Sequence, residues 1–159
     1  MPWRPGLGQG NRAGVATKRR TCALDPGKVR VGVAIDDGLG MLAHPRGHLD
    51  GRDRKALLAA LRALADEENV VRFVVGLPLD MHGGEGMAAR GARALAQQVA
   101  DATGRAVELW DERLTTVQAQ RALAASEVRG KKARALIDEA AACAILQSWL
   151  DARQGRRGG

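Results

Sequence analysis

The stretch "CALDPGKVRVGVAID", residues 22–36, decides how this chain is read. A short apolar run ends in the acid Asp25, and Pro26-Gly27 follows. In the second run Val29, Val31, Val33 and Ile35 alternate with Arg30, Gly32, Ala34 and Asp36, the period of a strand with one buried face. Proline fixes φ and glycine accepts φ > 0, so Pro26-Gly27 suits the centre of a type II turn. The reading is a hairpin with a carboxylate at the tip of its first strand. Asp25 either makes the turn or does chemistry.

Working outward, "GMLAHPRGHL" predicts a third strand, with Pro45 either confining it to an edge or ending it early. "DRKALLAALRALADEEN" sets Leu57, Leu58, Leu61, Leu64 and Ala65 on one helical face. "VVRFVVGLPL" is a nearly unbroken apolar run, as in a parallel strand covered on both sides. A helix with Gly104 as its C-cap, a strand "AVELWDE", and a helix opened by Thr115 or Thr116 follow. A basic loop then leads to a last helix over about 133–152. The order β-β-β-α-β-α-β-α-α predicts an α/β fold: an antiparallel three-stranded meander, then βα units, in a mixed five-stranded sheet with helices on both faces. The expected domain spans 20–152, between a flexible basic tail (1–19) and a flexible C-terminal tail (153–159).

The chain of 159 residues is 45% hydrophobic, enough for one domain with a real core. Its net charge of +7 favours a polyanionic partner, nucleic acid before an anionic membrane surface. With three Trp, one Phe and no Tyr, a nucleic acid would be held by phosphate contacts and shape more than by base stacking. No apolar run suits a membrane span or signal peptide, and Cys22 and Cys143 sit in apolar segments as two buried, reduced thiols. The expected compartment is the cytoplasm. His44, His48 and His82 are not spaced as a zinc site, since Pro45 breaks any helix joining the first two.

Three acidic positions fall where the pattern asks for something else. Asp25 ends the first strand, and Asp111 and Glu112 end the last. Asp138 lies on the helical line Ala135, Asp138, Ala142, Ile145, Trp149, whose other members are apolar. Taking the first and last strands as parallel neighbours near the sheet centre, Asp25 and the Asp111-Glu112 pair emerge at one edge, with the last helix bringing Asp138 over them. Two carboxylates ~4 Å apart repel by roughly 4 kcal/mol at an effective dielectric of 20, so a cluster needs a cation or protons between its members. Hard oxygen ligands select Mg²⁺ or Mn²⁺, and a pair of such ions suits in-line phosphoryl displacement. Asp36 and Asp37 read as turn residues. A carboxylate cluster on a basic protein reads as a metal-dependent nuclease.

"ALDPGKVRVGVAIDD", "VVGLPLDMHGGEG", "DERLTT" and "IDEAAACAILQSWL" together resemble the YqgF/RuvX-type family. These are small RuvC-like proteins of the RNase H superfamily, described as Holliday-junction resolvases and as pre-16S rRNA nucleases. The resemblance covers about residues 21–151. It implies an RNase H-like fold, Mg²⁺- or Mn²⁺-dependent phosphodiester hydrolysis with two ions, and trimming of the 5′ end of 16S rRNA precursor. It assigns Asp25, Glu112 or Asp111, and Asp138 to catalysis, with Asp25, Glu112 and Asp138 as the expected metal ligands. One departure from RuvC is that "VVGLPL" ends in Pro78 and not in an acid, so the second ligand must come from "DER".

Arg113 is a candidate phosphate clamp, and Lys28, Arg30, Arg129, Lys131, Lys132 and Arg134 are further candidates for nucleic-acid contact. The expected partners are structured RNA or branched DNA, with ribosomal particles in the RNA case, and the chain either a monomer or a homodimer. The expected function is an endonuclease acting on the 16S rRNA precursor. The alternatives are a Holliday-junction resolvase using the same chemistry, and a non-catalytic RNA-binding factor in ribosome assembly. The "DPG" hairpin would also fit the phosphate hairpin of actin-like ATPases, which need a second such domain.

Overall fold

The computed structural model describes residues 18–115 and 131–158, with the backbone alone for 131–138 and 156–158. Strands β1 (Arg20–Pro26), β2 (Arg30–Asp36) and β3 (Ala43–Asp50) are followed by α1 (Arg54–Glu67), β4 (Val70–Leu77), α2 (Met87–Thr103) and β5 (Ala106–Asp111). A single 3-10 turn, Glu112–Leu114, ends β5, and α3 (Lys131–Gly158) closes the fold. The helix expected to open at Thr115 or Thr116, and the expected N-terminal tail apart from its last two residues, lie outside the described residues.

The sheet order is β3-β2-β1-β4-β5. The meander is antiparallel, while β1, β4 and β5 run parallel. β1 and β5 are therefore not neighbours: β4 lies between them and β5 is an outer strand. Their carboxyl ends still emerge at one edge of the sheet, because each pair in the series is parallel. β3 is the other outer strand and accommodates Pro45, which needs no ladder donor. A bulge at Gly47, φ +85°, goes with the break in β2–β3 register.

Alternation along the strands splits the core into two layers. Cys22 and Leu24, Val31, Val33 and Ile35, and Phe73 and Val75 face α1 and α2. Ala23, Ala34 and Val74 face α3, whose Ala142, Ile145 and Trp149 are fully buried. β2 is thus covered on both faces and not on one, and Gly32 and Ala34 are small because a helix lies over them.

The hairpin turn also differs from expectation. Gly27 N–H donates to Arg30 O at 2.9 Å, which centres the turn on Lys28-Val29. Gly27 is not among the residues with positive φ; a Cβ there would lie 2.6 Å from Arg30 O, so close approach is what requires the glycine.

Asp53 caps α1, accepting from Ala56 N–H at 3.1 Å. Gly104, φ +70°, ends α2 in the left-handed conformation. α3 starts at Lys131, inside the expected basic loop, and continues to Gly158, so the stretch expected as a C-terminal tail is helical through that residue. Among the described residues no helix is long and apolar enough to cross a membrane.

Candidate active site

Asp25 is the last acid-bearing position of β1 and only 3% exposed. By strand parity it shares the α3 face with Ala23. Its partner across the hairpin is Gly32, and the β1–β4 register, Leu24 opposite Val75, carries on to set it beside Gly76. The carboxylate thus stands between two residues with no side chain, in a depression of the sheet face. Asp25 has interactions with other parts of the chain, as a buried carboxylate requires.

Gly76 settles which acid of "DER" turns inward. A Cβ built on it would lie 2.9 Å from Glu112 Oε1 and 2.5 Å from Ile145 Cδ1. The Glu112 carboxylate therefore folds back over the end of β4, onto the α3 face that Asp25 occupies. The local cause is the 3-10 turn. Asp111 caps it through its side chain, and Thr115 closes it, its hydroxyl donating to Glu112 O at 2.7 Å. The turn is tied to α3 through Ser148, which accepts from Trp110 Nε1 at 3.1 Å and donates to Leu114 O at 3.0 Å.

Asp111 goes elsewhere. It makes a two-pronged ion pair with Arg113, with Nη2–Oδ2 at 2.7 Å and Nε–Oδ1 at 3.0 Å. The Arg113 hydrogen bond is the main reason its carboxyl sits below the usual aspartate range. Arg113, correspondingly, is raised above its ordinary value by the same bond. The guanidinium expected as a phosphate clamp already has a carboxylate across it. It also lies beside Gly83 in the β4–α2 loop, 3.7 Å from where a Cβ would stand. In that loop Asp80 takes the His82 and Gly84 amides, so these two N–H groups are not open to a phosphate.

Asp138 falls within α3, one turn before the buried Ala142 and in line with Ile145 and Trp149. α3 runs antiparallel to β4, since Ile145 meets Gly76 near the end of that strand and Trp149 meets Arg72 near its start. The backbone of Asp138 is thereby carried toward the edge where Asp25 and Glu112 lie. Its side chain is outside the description, as are those of Lys131, Lys132 and Arg134, while Arg129 lies wholly outside the described residues. Among the described residues no three His, Cys, Asp or Glu gather in one place. Lys28 is exposed in the turn beyond Asp25, and Arg30 is half-buried beside it, near enough to Asp50 to act on its charge.

Asp36, expected in a turn, ends β2 and is 3% exposed. It accepts the amides of Thr21 and Gly38. Because β2 is antiparallel to β1, it stands at the opposite edge from Asp25. Asp37 is the turn residue, gathering the amides of Leu39, Met41 and Leu42. Cys22 is buried and Cys143 only half-buried; both are free thiols. Gly32 and Gly76 are the site residues that strand patterning passed over. The available signal was a glycine in the middle of an otherwise apolar strand, which marks close approach by another group.

Comparison with known proteins agrees with this frame. A relative from Myxococcus xanthus, named "Putative pre-16S rRNA nuclease", is 46% identical over 135 residues, covering 85% of this chain and 89% of that one. One of the same name from Streptomyces avermitilis is 44% identical over 136 residues, covering 85% and 87%. Thermus thermophilus RuvC, solved with a Holliday junction substrate, superposes with a TM-score of 0.54 at 14% identity, over 86% of this chain and 96% of that one, a likeness of fold. The family model described as "RuvX: Holliday junction resolvase" matches residues 19–152, and the chain belongs to that family.

Proposed function

We propose that this protein is a divalent-metal-dependent endonuclease acting on structured RNA, and that it trims the 5′ end of the 16S rRNA precursor. The observation that carries the reading is the pair of carboxylates on one sheet face, with Asp25 buried between two glycines and Glu112 folded over the second. The names of the relatives in Myxococcus and Streptomyces support the choice of RNA.

The donor set fits a hard cation: two carboxylates on one sheet face offer the oxygen ligands that such ions select. Asp25, Glu112 and Asp138 are the residues that would hold Mg²⁺ or Mn²⁺, which when bound activates water and stabilises charge on the phosphoryl oxygens. The chain's own part is preorganisation. Asp25 is fixed by strand ladders on both sides, and Glu112 by a capped turn bonded to α3, so neither carboxylate need be ordered when substrate arrives. The covered sheet face keeps water from Asp25. Lys28 and Arg30 stand at the same edge, with Lys131, Lys132 and Arg134 at the start of α3, as positive charge for flanking phosphates.

The test is a paired cleavage assay of wild type and Asp25→Asn, on a 5′-extended 16S rRNA fragment and a four-way DNA junction, in Mn²⁺. Cutting of the RNA that is lost in the variant supports the proposal. The family description and the RuvC likeness favour a second reading, a junction resolvase; cutting of the junction alone would establish it. Cutting of neither, with RNA still bound, would overturn both.

A further inference from the structure

A concavity of about 560 Å³ opens at the amino edge of the sheet, away from the acid pair. Arg72, on its wall, is paired with Thr21 across β1–β4, four residues before Asp25 and so about 13 Å from it along the strand. α3 covers the sheet between them.

The lining is unusual in charge. Arg19, Arg72 and Arg153 contribute three guanidinium groups, and Asp36 is the acid among the described lining residues. Asp36 is already engaged by two backbone amides. Arg72 and Arg153 hold the same indole, their guanidinium carbons 5.5 and 4.9 Å from the ring centroid of Trp149. Trp149 is itself pinned, its Nε1 donating to Glu108 Oε2 at 3.0 Å. Among the described residues the Arg72 guanidinium has neither a hydrogen-bond nor an ion-pair partner; its recorded contact is the ring. Stacked half-buried on a fixed indole, the Arg72 guanidinium keeps its planar fork of N–H donors in place and unspent. The volume falls within the range of small-ligand pockets, and Arg forks match phosphate oxygens in geometry and charge.

We propose that this concavity is a phosphate-binding site, separate from the acid pair, in which the guanidinium fork of Arg72 takes the oxygens of a phosphate monoester or diester and the charges of Arg153 and Arg19 add to the attraction. The phosphate comes either from a free nucleotide or from the backbone of a bound nucleic acid strand. The site stands whether or not the acid pair cleaves RNA, because its occupancy is read as binding, with no turnover.

The experiment is calorimetric titration of the full chain with uridine 5′-monophosphate and, separately, a ten-nucleotide RNA, with EDTA present. The proteins are wild type, Arg72→Gln, Arg72→Lys, and Asp25→Asn as a control at the other edge. A free nucleotide as source predicts that Arg72→Gln weakens monophosphate binding at least tenfold, with Arg72→Lys between it and wild type and Asp25→Asn unchanged. A backbone phosphate as source predicts instead that Arg72→Gln weakens the RNA and lowers the slope of log K against log salt by about 0.7, the value of one lost single-strand phosphate contact. If Arg72→Gln fails to fold, the exposed Arg19→Gln replaces it, with a smaller effect in the same direction. Equal binding of both ligands by wild type and the arginine variants, or no binding of either ligand by wild type, overturns the proposal.

Discussion

Replacing Gly76 by alanine tests the placement of Glu112 most directly. The added methyl would stand 2.5 Å from Ile145 Cδ1 and 2.9 Å from Glu112 Oε1. Carbon atoms pack at about 3.5–4.0 Å, so the Ile145 methyl must retreat by roughly 1 Å, and the carboxylate by several tenths. Ile145 is fully buried and has nowhere to retreat without moving its neighbours. Overpacking of this kind costs about 1–3 kcal/mol, and alanine returns about 0.5–1 kcal/mol over glycine within a strand. The expected net loss is on the order of 1 kcal/mol, or about 2–4 °C in Tm for a chain of this size. Activity should fall too, by about tenfold, since misplacement by about 1 Å costs about a hundredfold and the carboxylate moves by several tenths of that. Ile145→Val removes the methyl behind the stability loss but leaves the clash with Glu112. The double variant should therefore show a coupling on the order of 1 kcal/mol in urea unfolding while its cleavage stays low. Gly76→Ala with wild-type cleavage would refute the position given to Glu112. Recovery of cleavage together with stability in the double variant would refute it equally.

Glu112→Gln should abolish RNA cleavage, whereas Asp111→Asn should leave most of it; equal loss in single-turnover assays would mean that Asp111 also acts at the site. The Asp111–Arg113 pair is largely solvent-facing, so its contribution to stability is below about 1 kcal/mol. Because the Asp111 carboxyl is depressed, that contribution is fully present above its unfolded pKa near 3.9 and is lost as pH falls through the lower folded value; urea unfolding of wild type and Asp111→Asn should converge as the pH falls below that value. Mn²⁺ should raise the Tm of wild type and not of Asp25→Asn, as expected of a ligand held only by the folded state. Burial pushes the Cys143 thiol up to about 11 and the Cys22 thiol further, leaving about a thousandth or less of either as thiolate at pH 8; mass spectrometry should find iodoacetamide labelling slow at Cys143 and absent at Cys22 until the chain unfolds.

Much of this molecule was legible as sequence, and the reason is local periodicity. The spacing of Leu57, Leu61, Leu64 and Ala65 marks the buried face of α1, and the alternation through Val31, Val33 and Ile35 marks one side of β2. Turn and cap residues such as Asp53 and Gly104 act within a few positions of themselves. The acid Asp25 announced itself by ending an apolar run. What lies across the sheet was not legible. That β4 separates β1 from β5, and that α3 covers the far side of β2, are pairings between segments tens of residues apart. The choice between Asp111 and Glu112 depended on structure for a different reason. Strand parity assigns faces only while the strand lasts, and at Asp111 the backbone turns into a 3-10 bend, so parity no longer says where the next side chain goes. Gly76 carries the same division: its sequence says that something approaches the strand there, and only the folded chain brings Glu112 and Ile145 to fill the space.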